Sequence, residues 1–181
     1  MNIVPTALPE VLLITPKVMR DVRGAFWETW NRNVFAEAGL PTEWAQDNCS
    51  SSVKNVIRGI HYQLVQPQGK LVRATCGAVF DIAVDLRRSS PNFGRHVAVE
   101  LSEDNGHMLY IPIGFGHGFA ALTEQAGLAY KVTDFYCQAG EGTVLWNDAD
   151  IAIPWPVAGK DAILSAKDCA GKPLRDAEVF E

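Results

Sequence analysis

His61 lies in the run Val56-Ile57-Arg58-Gly59-Ile60-His61-Tyr62-Gln63, and Lys70 follows seven residues after that run ends. Imidazole, guanidinium, amide and ammonium groups are set here among β-branched and aromatic residues that favour a strand. Residues two apart on a strand share a face, so Ile57, Gly59, His61 and Gln63 should point one way and Val56, Arg58, Ile60 and Tyr62 the other. His61 then points into whatever the sheet encloses; the plain alternative is a packed imidazole satisfied by its neighbours. Histidine is the usual side chain for moving a proton at neutral pH. Taking a proton from carbon beside a carbonyl needs a base, a positive group near the developing enolate oxygen and, for inversion, an acid on the opposite side of the carbon. Lys70 suits the second part. Candidates for the third lie in Leu128 to Tyr136. On an unbroken strand Tyr130, Val132, Asp134 and Tyr136 would share a face, with the tyrosines roughly 20 Å apart at about 3.3 Å per residue. They would then serve separate parts of an elongated ligand, or simply pack with their hydroxyls satisfied.

The elements that must position these groups are mostly short strands. Val11 to Met19 is strand-like but broken by Pro16, Arg20 to Gly24 is turn-like, and Gly24 to Trp30 has strand character through Phe26, Trp27 and Trp30. Asn33 to Gly39 predicts a short helix, with Asn33 as cap and Gly39 as stop. Trp44 to Val53, with Gln46, Asp47, Asn48 and three serines, reads either as a solvated loop or as amides and hydroxyls that orient a sugar or base. Lys70 to Leu86 reads as two strands joined near Cys76-Gly77, with Phe80, Ile82, Val84 and Leu86 on one face and Val79, Asp81, Ala83 and Asp85 on the other. His96 to Leu101, His107 to Ile111, Phe119 to Thr123 and Leu128 to Tyr136 add four more. Short strands at this spacing, with little helix between them, predict a mainly β fold, an antiparallel jelly-roll barrel with a few short helices. Residues 1–181 are expected to form one domain with a surface-wrapping tail from about residue 147. In that tail Ser165-Ala166-Lys167-Asp168 resembles a capping box.

Composition sets the outer bounds. The chain has 181 residues, 48% hydrophobic and 20% charged, as in soluble globular proteins. A formal net charge of −5 argues against a general affinity for nucleic acid. Arg20, Arg23, Arg58, Lys70 and Arg73 could still converge on a small anion. No apolar run reaches the roughly 18 residues of a membrane span, and no basic start leads into an apolar segment, so a cytoplasmic protein with no membrane partner is expected. Cys49, Cys76, Cys137 and Cys169 form no Cys-x-x-Cys pair and predict reduced thiols rather than a zinc knuckle or redox dithiol.

Gly106 followed by Pro112-Ile113-Gly114-Phe115-Gly116-His117 resembles the second motif of the cupin superfamily. Ala121 stands where that motif often has asparagine. The metal-ligating positions of the first cupin motif fall on His61, Gln63 and Lys70, with its glycine at Gly77. An ammonium in place of a carboxylate repels a divalent cation, and an amide is a weak ligand, so no metal is expected.

Over about residues 14 to 168, the chain is similar to the dTDP-4-dehydrorhamnose 3,5-epimerase family. The shared residues are Arg23-Gly24 with Phe26 and Glu28; Gln46-x-Asn48-x-Ser50; Val56 to Gln63; Lys70; Gly77 to Asp81; Ser90-Pro91-x-Phe93-Gly94; Gly116 to Phe119; and Tyr130-Lys131-x-Thr133-x-x-Tyr136. The resemblance implies a cofactor-free isomerase acting on a dTDP-4-keto-6-deoxyhexose in dTDP-L-rhamnose formation. His61 would be the base, held by Asp168, with Tyr130 as the opposing acid and Lys70 beside the carbonyl oxygen. Arg58 and His117 would lie near the sugar or diphosphate, Gln46 and Asn48 at the nucleotide, and Tyr136 stacked on thymine. Arg23, Phe26 and Glu28 would reach across a homodimer. Asp81 is a second candidate to hold His61. Strict alternation turns Arg58 away from His61, and a bulge at Gly59 would bring it back. Alternatives are inversion at one carbon only, a metal-dependent cupin isomerase or oxygenase, and a nucleotide-sugar binding module without turnover.

Overall fold

From Ala78 to Asp85 the side chains alternate between two apolar surroundings, and this double burial sets the architecture. Val79 and Ala83 join a cluster with Val72, Leu101, Leu109, Phe119 and Leu128, whereas Ile82 and Val84 join Ile60, Leu86, Val144, Ile151 and Val179. A strand buried on both faces has layers of chain on either side of it.

The computed structural model describes residues 1–181. Its strands are β1 (Asn2–Pro5), β2 (Leu12–Thr15), β3 (Met19–Asp21), β4 (Gly24–Phe26), β5 (Gln46–Val53), β6 (Ile57–Gln63), β7 (Lys70–Cys76), β8 (Ala78–Asp85), β9 (His96–Ser102), β10 (Met108–Ile111), β11 (Phe115–Ala121), β12 (Gln125–Val132) and β13 (Glu141–Thr143). Two short helices, α1 (Arg32–Glu37) and α2 (Ala166–Cys169), complete the regular elements apart from three 3₁₀ turns. One sheet has the order β1-β2-β10-β7-β12-β5 and the other β13-β6-β11-β8-β9; β3 and β4 form a separate hairpin. Every pairing in the sheets is antiparallel. The larger core lies between the two sheets, as in the expected jelly roll. Full burial of one Val, Leu, Ile or Phe side chain there stabilises the fold by about 1.5–3 kcal/mol.

The outer faces are covered as well. Phe35 of α1 and Leu40 cover Ile14, Leu71 and Met108 of the six-stranded sheet. The tail from Val144 onward covers the five-stranded sheet through Ile151, Leu174, Ala177 and Val179. It is fastened by bridges from Val56 to Ile163 and Arg87 to Phe180, and a bridge from Val144 to Lys172 ties it to itself.

Three local expectations need correction. The cap of α1 is Asn31, whose side chain accepts the Asn33 and Val34 N–H groups, so the helix starts two residues earlier than the composition suggested. Gly39, at φ +70°, ends it as expected. The strand expected over Gly24 to Trp30 stops at Phe26. Gln46 to Val53 is a strand, since β12 supplies a complete antiparallel ladder for its polar residues.

Candidate active site

A cavity of about 300 Å³ lies between the sheets. β6 enters it through a bulge. On the neighbouring β11, Phe119 pairs with Arg58 and His117 with His61, so three steps along β6 match two along β11. Gly59 has φ +128°, and a Cβ there would lie 2.6 Å from Gly118 Cα and 2.9 Å from the His117 carbonyl oxygen. Glycine alone meets both demands. The inserted residue puts Arg58, His61 and Gln63 on the cavity and turns Ile57 and Ile60 to the opposite face. The strict alternation that grouped Ile57 with His61 is thereby corrected.

His61 Nε2 lies 2.6 Å from Asp168 Oδ1. That oxygen also accepts the Gly59 N–H at 3.1 Å, and Oδ2 accepts the Ser165 hydroxyl at 2.6 Å. Ser165 Oγ in turn accepts the Asp168 N–H at 3.1 Å, so one carboxylate both caps α2 and holds the imidazole. Burial pushes the Asp168 carboxyl up, but the bonds from His61, Ser165 and Gly59 outweigh it and hold the pKa at about 2. Burial also lowers His61, and the nearby ammonium groups of Lys167 and Lys70 add to this; the pull of Asp168 in the other direction is weaker. The ring is therefore neutral at neutral pH. With Nε2–H donated to Asp168, Nδ1 is left to accept a proton.

Asp81 takes a different histidine, with His117 Nε2 2.8 Å from Asp81 Oδ1. Burial raises the Asp81 carboxyl, offset in part by His117 and Lys70. Lys70 opens β7, paired with Ile111 and Val132. Burial lowers its ammonium to about 8. Tyr130 comes from β12, in the sheet facing that of His61, and lines the same cavity. Burial raises its phenol, with Arg58 pulling partly the other way, so it is a proton donor at neutral pH. Arg58 is steadied by its Nε donating to Ser52 Oγ at 3.1 Å and its terminal nitrogen to Ser51 O at 3.0 Å.

Alternation along β5 places Gln46, Asn48 and Ser50 on the cavity. Gln46 Nε2 donates to Asn48 Oδ1 at 2.7 Å. Ser50 Oγ is buried without a partner, so it is available to a ligand. The unbroken strand expected from Leu128 to Tyr136 is not found. β12 ends at Val132, because Thr133 exchanges bonds with Gly69 and the chain turns. Tyr136 thus comes back to the mouth of the same cavity, where it is 54% exposed. Its N–H donates to Gln46 Oε1 at 3.2 Å.

Two charged lining residues escaped the sequence reading. Lys167, next to Asp168 on α2, bonds Glu141 Oε1, and Tyr136 donates its hydroxyl to Glu141 Oε2 at 3.3 Å. A charged residue beside the capping-box acid was the one available signal for Lys167; Glu141 opens β13, a three-residue strand too short to show a period. Arg23, Phe26 and Glu28 are not brought to the cavity within the chain. Arg23 pairs with Asp21, Phe26 is 67% exposed, and Glu28 accepts from Asn31 Nδ2.

A divalent metal does not fit the positions that correspond to cupin ligands. Lys70 brings an ammonium, and the Gln63 amide is spent on backbone groups of two loops. Asp81 and Asp168 are each committed to a histidine, and no three His, Cys, Asp or Glu side chains are grouped to hold an ion. Arg58, Lys70 and Lys167 face one carboxylate, Glu141, so the cavity favours an anionic ligand with hydrogen-bonding groups and a flat ring.

The family model described as dTDP-4-dehydrorhamnose 3,5-epimerase matches residues 5–176. The dTDP-4-dehydrorhamnose 3,5-epimerase of Pseudomonas aeruginosa is 50% identical over 176 residues, covering 96% of each chain. The enzyme of the same name from Shigella flexneri is 49% identical over 183 residues, 99% of each. The crystal structure of dTDP-6-deoxy-D-glucose-3,5-epimerase from Legionella pneumophila, in complex with dTDP-4-keto-L-rhamnose, superposes with a TM-score of 0.93 at 44% identity, covering 97% of this chain and 93% of that one. With a matching model that spans nearly its whole length and relatives this similar from end to end, the chain belongs to the dTDP-4-dehydrorhamnose 3,5-epimerase family.

Proposed function

We propose that this chain converts dTDP-4-dehydro-6-deoxy-D-glucose to dTDP-4-dehydro-L-rhamnose by inverting carbons 3 and 5 without a cofactor. The observation that carries it is a neutral imidazole held by Asp168 on one sheet and a protonated phenol, Tyr130, on the facing sheet of one cavity. The carbonyl at carbon 4 acidifies the protons on carbons 3 and 5. His61 Nδ1 takes one of them, the Lys70 ammonium stabilises the enolate oxygen, and Tyr130 returns a proton from the opposite side. Two groups whose surroundings push their pKa values apart serve as base and acid. Once His61 has given its proton to solvent and Tyr130 has regained one, turning the ring lets the same pair work on the second carbon.

Arg58, His117 and Lys167 neutralise the diphosphate or bind the sugar, Gln46 and Asn48 hold the nucleoside, and Tyr136 stacks on its base. Arg23, Phe26 and Glu28 complete the site from the β3–β4 hairpin of a second copy, in a homodimer acting in the cytoplasm. Residues 1–181 act as one domain, whose tail from about residue 147 supplies Asp168. Proton NMR of the substrate in deuterated water tests the assignment. The native chain should place deuterium at both carbons; exchange at one only would make it a mono-epimerase, and none would make it a binding module. His61→Asn should abolish exchange, whereas Tyr130→Phe should retain exchange while losing inversion. Native-like exchange in His61→Asn would remove His61 from the role of base.

A further inference from the structure

Gln63 is 6% exposed and spends both ends of its amide on main-chain groups of two separate loops. Its Nε2 donates to Gln66 O at 2.7 Å and Phe135 O at 3.1 Å, and its Oε1 accepts the Cys137 N–H at 3.1 Å. The carbonyl of Phe135 and the N–H of Cys137 flank Tyr136 in the chain, so Gln63 grips the backbone on both sides of that residue. Gln46 Oε1 takes the Tyr136 N–H between them, and Gln68 Nε2 donates to Asp134 O at 2.8 Å. The stretch from Asp134 to Cys137 has no strand or helix pairing of its own, and the Phe135 and Tyr136 side chains are more than half exposed. Its shape therefore depends on these borrowed amide bonds. A carboxylate in place of Gln63 would lack the donors for Gln66 and Phe135, and an imidazole lacks the span to serve all three.

We infer that Gln63 is a positioning residue for nucleotide recognition: it acts through the backbone on either side of Tyr136 to hold that ring ready for the base. The inference rests on the placement of the nucleobase at Tyr136 proposed above. Ordering a loop before the ligand arrives removes that cost from binding, and the effect should fall on affinity for the nucleotide rather than on proton transfer at His61.

Titration calorimetry with dTDP tests it in a double-mutant cycle of Gln63→Met and Tyr136→Ala, which separates a shared effect from two independent ones. Gln63→Met should weaken dTDP about tenfold in the native background, corresponding to about 1.4 kcal/mol. In the Tyr136→Ala background the same change should alter dTDP affinity by less than about twofold. KM for the nucleotide sugar should rise with kcat little changed. Native-like affinity in Gln63→Met, equal losses in both backgrounds, or a fall in kcat at constant KM would each overturn the inference. If Tyr136→Ala alone leaves dTDP binding intact, the placement of the base at Tyr136 fails first and takes the inference with it. Should Gln63→Met not fold, Gln68→Met in the same cycle decides, because it removes one bond to the same loop.

Discussion

Replacing Asp168 by Asn keeps the size of the side chain while removing the charge that faces His61. The carboxyl lies at about 2 instead of its ordinary 3.8, which at 1.36 kcal/mol per pH unit corresponds to about 2.5 kcal/mol. The group is 2% exposed, so little of this is lost to solvent screening. Part belongs to Ser165 and the Gly59 N–H, which an amide oxygen can partly replace. The largest single stabilising bond is the one to the imidazole. That bond strengthens as His61 takes up a proton, so its loss falls on the transition state, and kcat should drop by about 30- to 100-fold with KM changed less than about threefold. The acid limb of the pH–rate profile gives an independent check. Asp168 raises the His61 pKa, so its removal must lower it and move that limb to lower pH even as the rate falls. Deuterium wash-in at carbons 3 and 5 followed by NMR across pH 4–8 measures both quantities. A native rate in Asp168→Asn, or an acid limb that stays put or moves upward, would refute the dyad.

The Lys70 ammonium, lowered to about 8 by burial, should impose an alkaline limb near pH 8, because only its protonated form stabilises the enolate; Lys70→Met should be slow and lack that limb. Stability follows the opposite sign. A lysine whose folded pKa lies below its unfolded value favours unfolding at low pH, so denaturant midpoints should rise between about pH 8 and 10.5 in the native chain and less so in the variant. Gly59→Ala should cost about 3 kcal/mol in chemical denaturation, since the new Cβ meets Gly118 Cα and the His117 carbonyl in a backbone region closed to alanine. A loss below about 1 kcal/mol would mean that the bulge tolerates a side chain.

Strand periodicity carried most of the fold. The two faces of Ala78 to Asp85 were readable because both are apolar except at Asp81 and Asp85, and the same period put Gln46, Asn48 and Ser50 on one side once β5 was recognised as a strand. β5 itself was obscure because its residues favour turns, and only pairing with β12, far away in sequence, makes them a strand. The side that Arg58 faces depended on an inserted residue that alternation cannot express, although Gly59 was its visible mark. The extent of β12 was overrun because its end is fixed by Thr133 bonding Gly69, a contact between segments with no shared local pattern. Asp168 was legible as a cap from its spacing to Ser165, whereas its partnership with His61, 107 residues earlier, came only through family resemblance.

That separation ties competence to the closing of the tail. Until residues 144–180 pack onto the five-stranded sheet, His61 has neither its counter-charge nor the bond that fixes its ring. Refolding chains would then regain bulk β signal before they regain turnover. A protease cut between Pro156 and Asp168 would silence the enzyme by loosening the segment that carries Asp168.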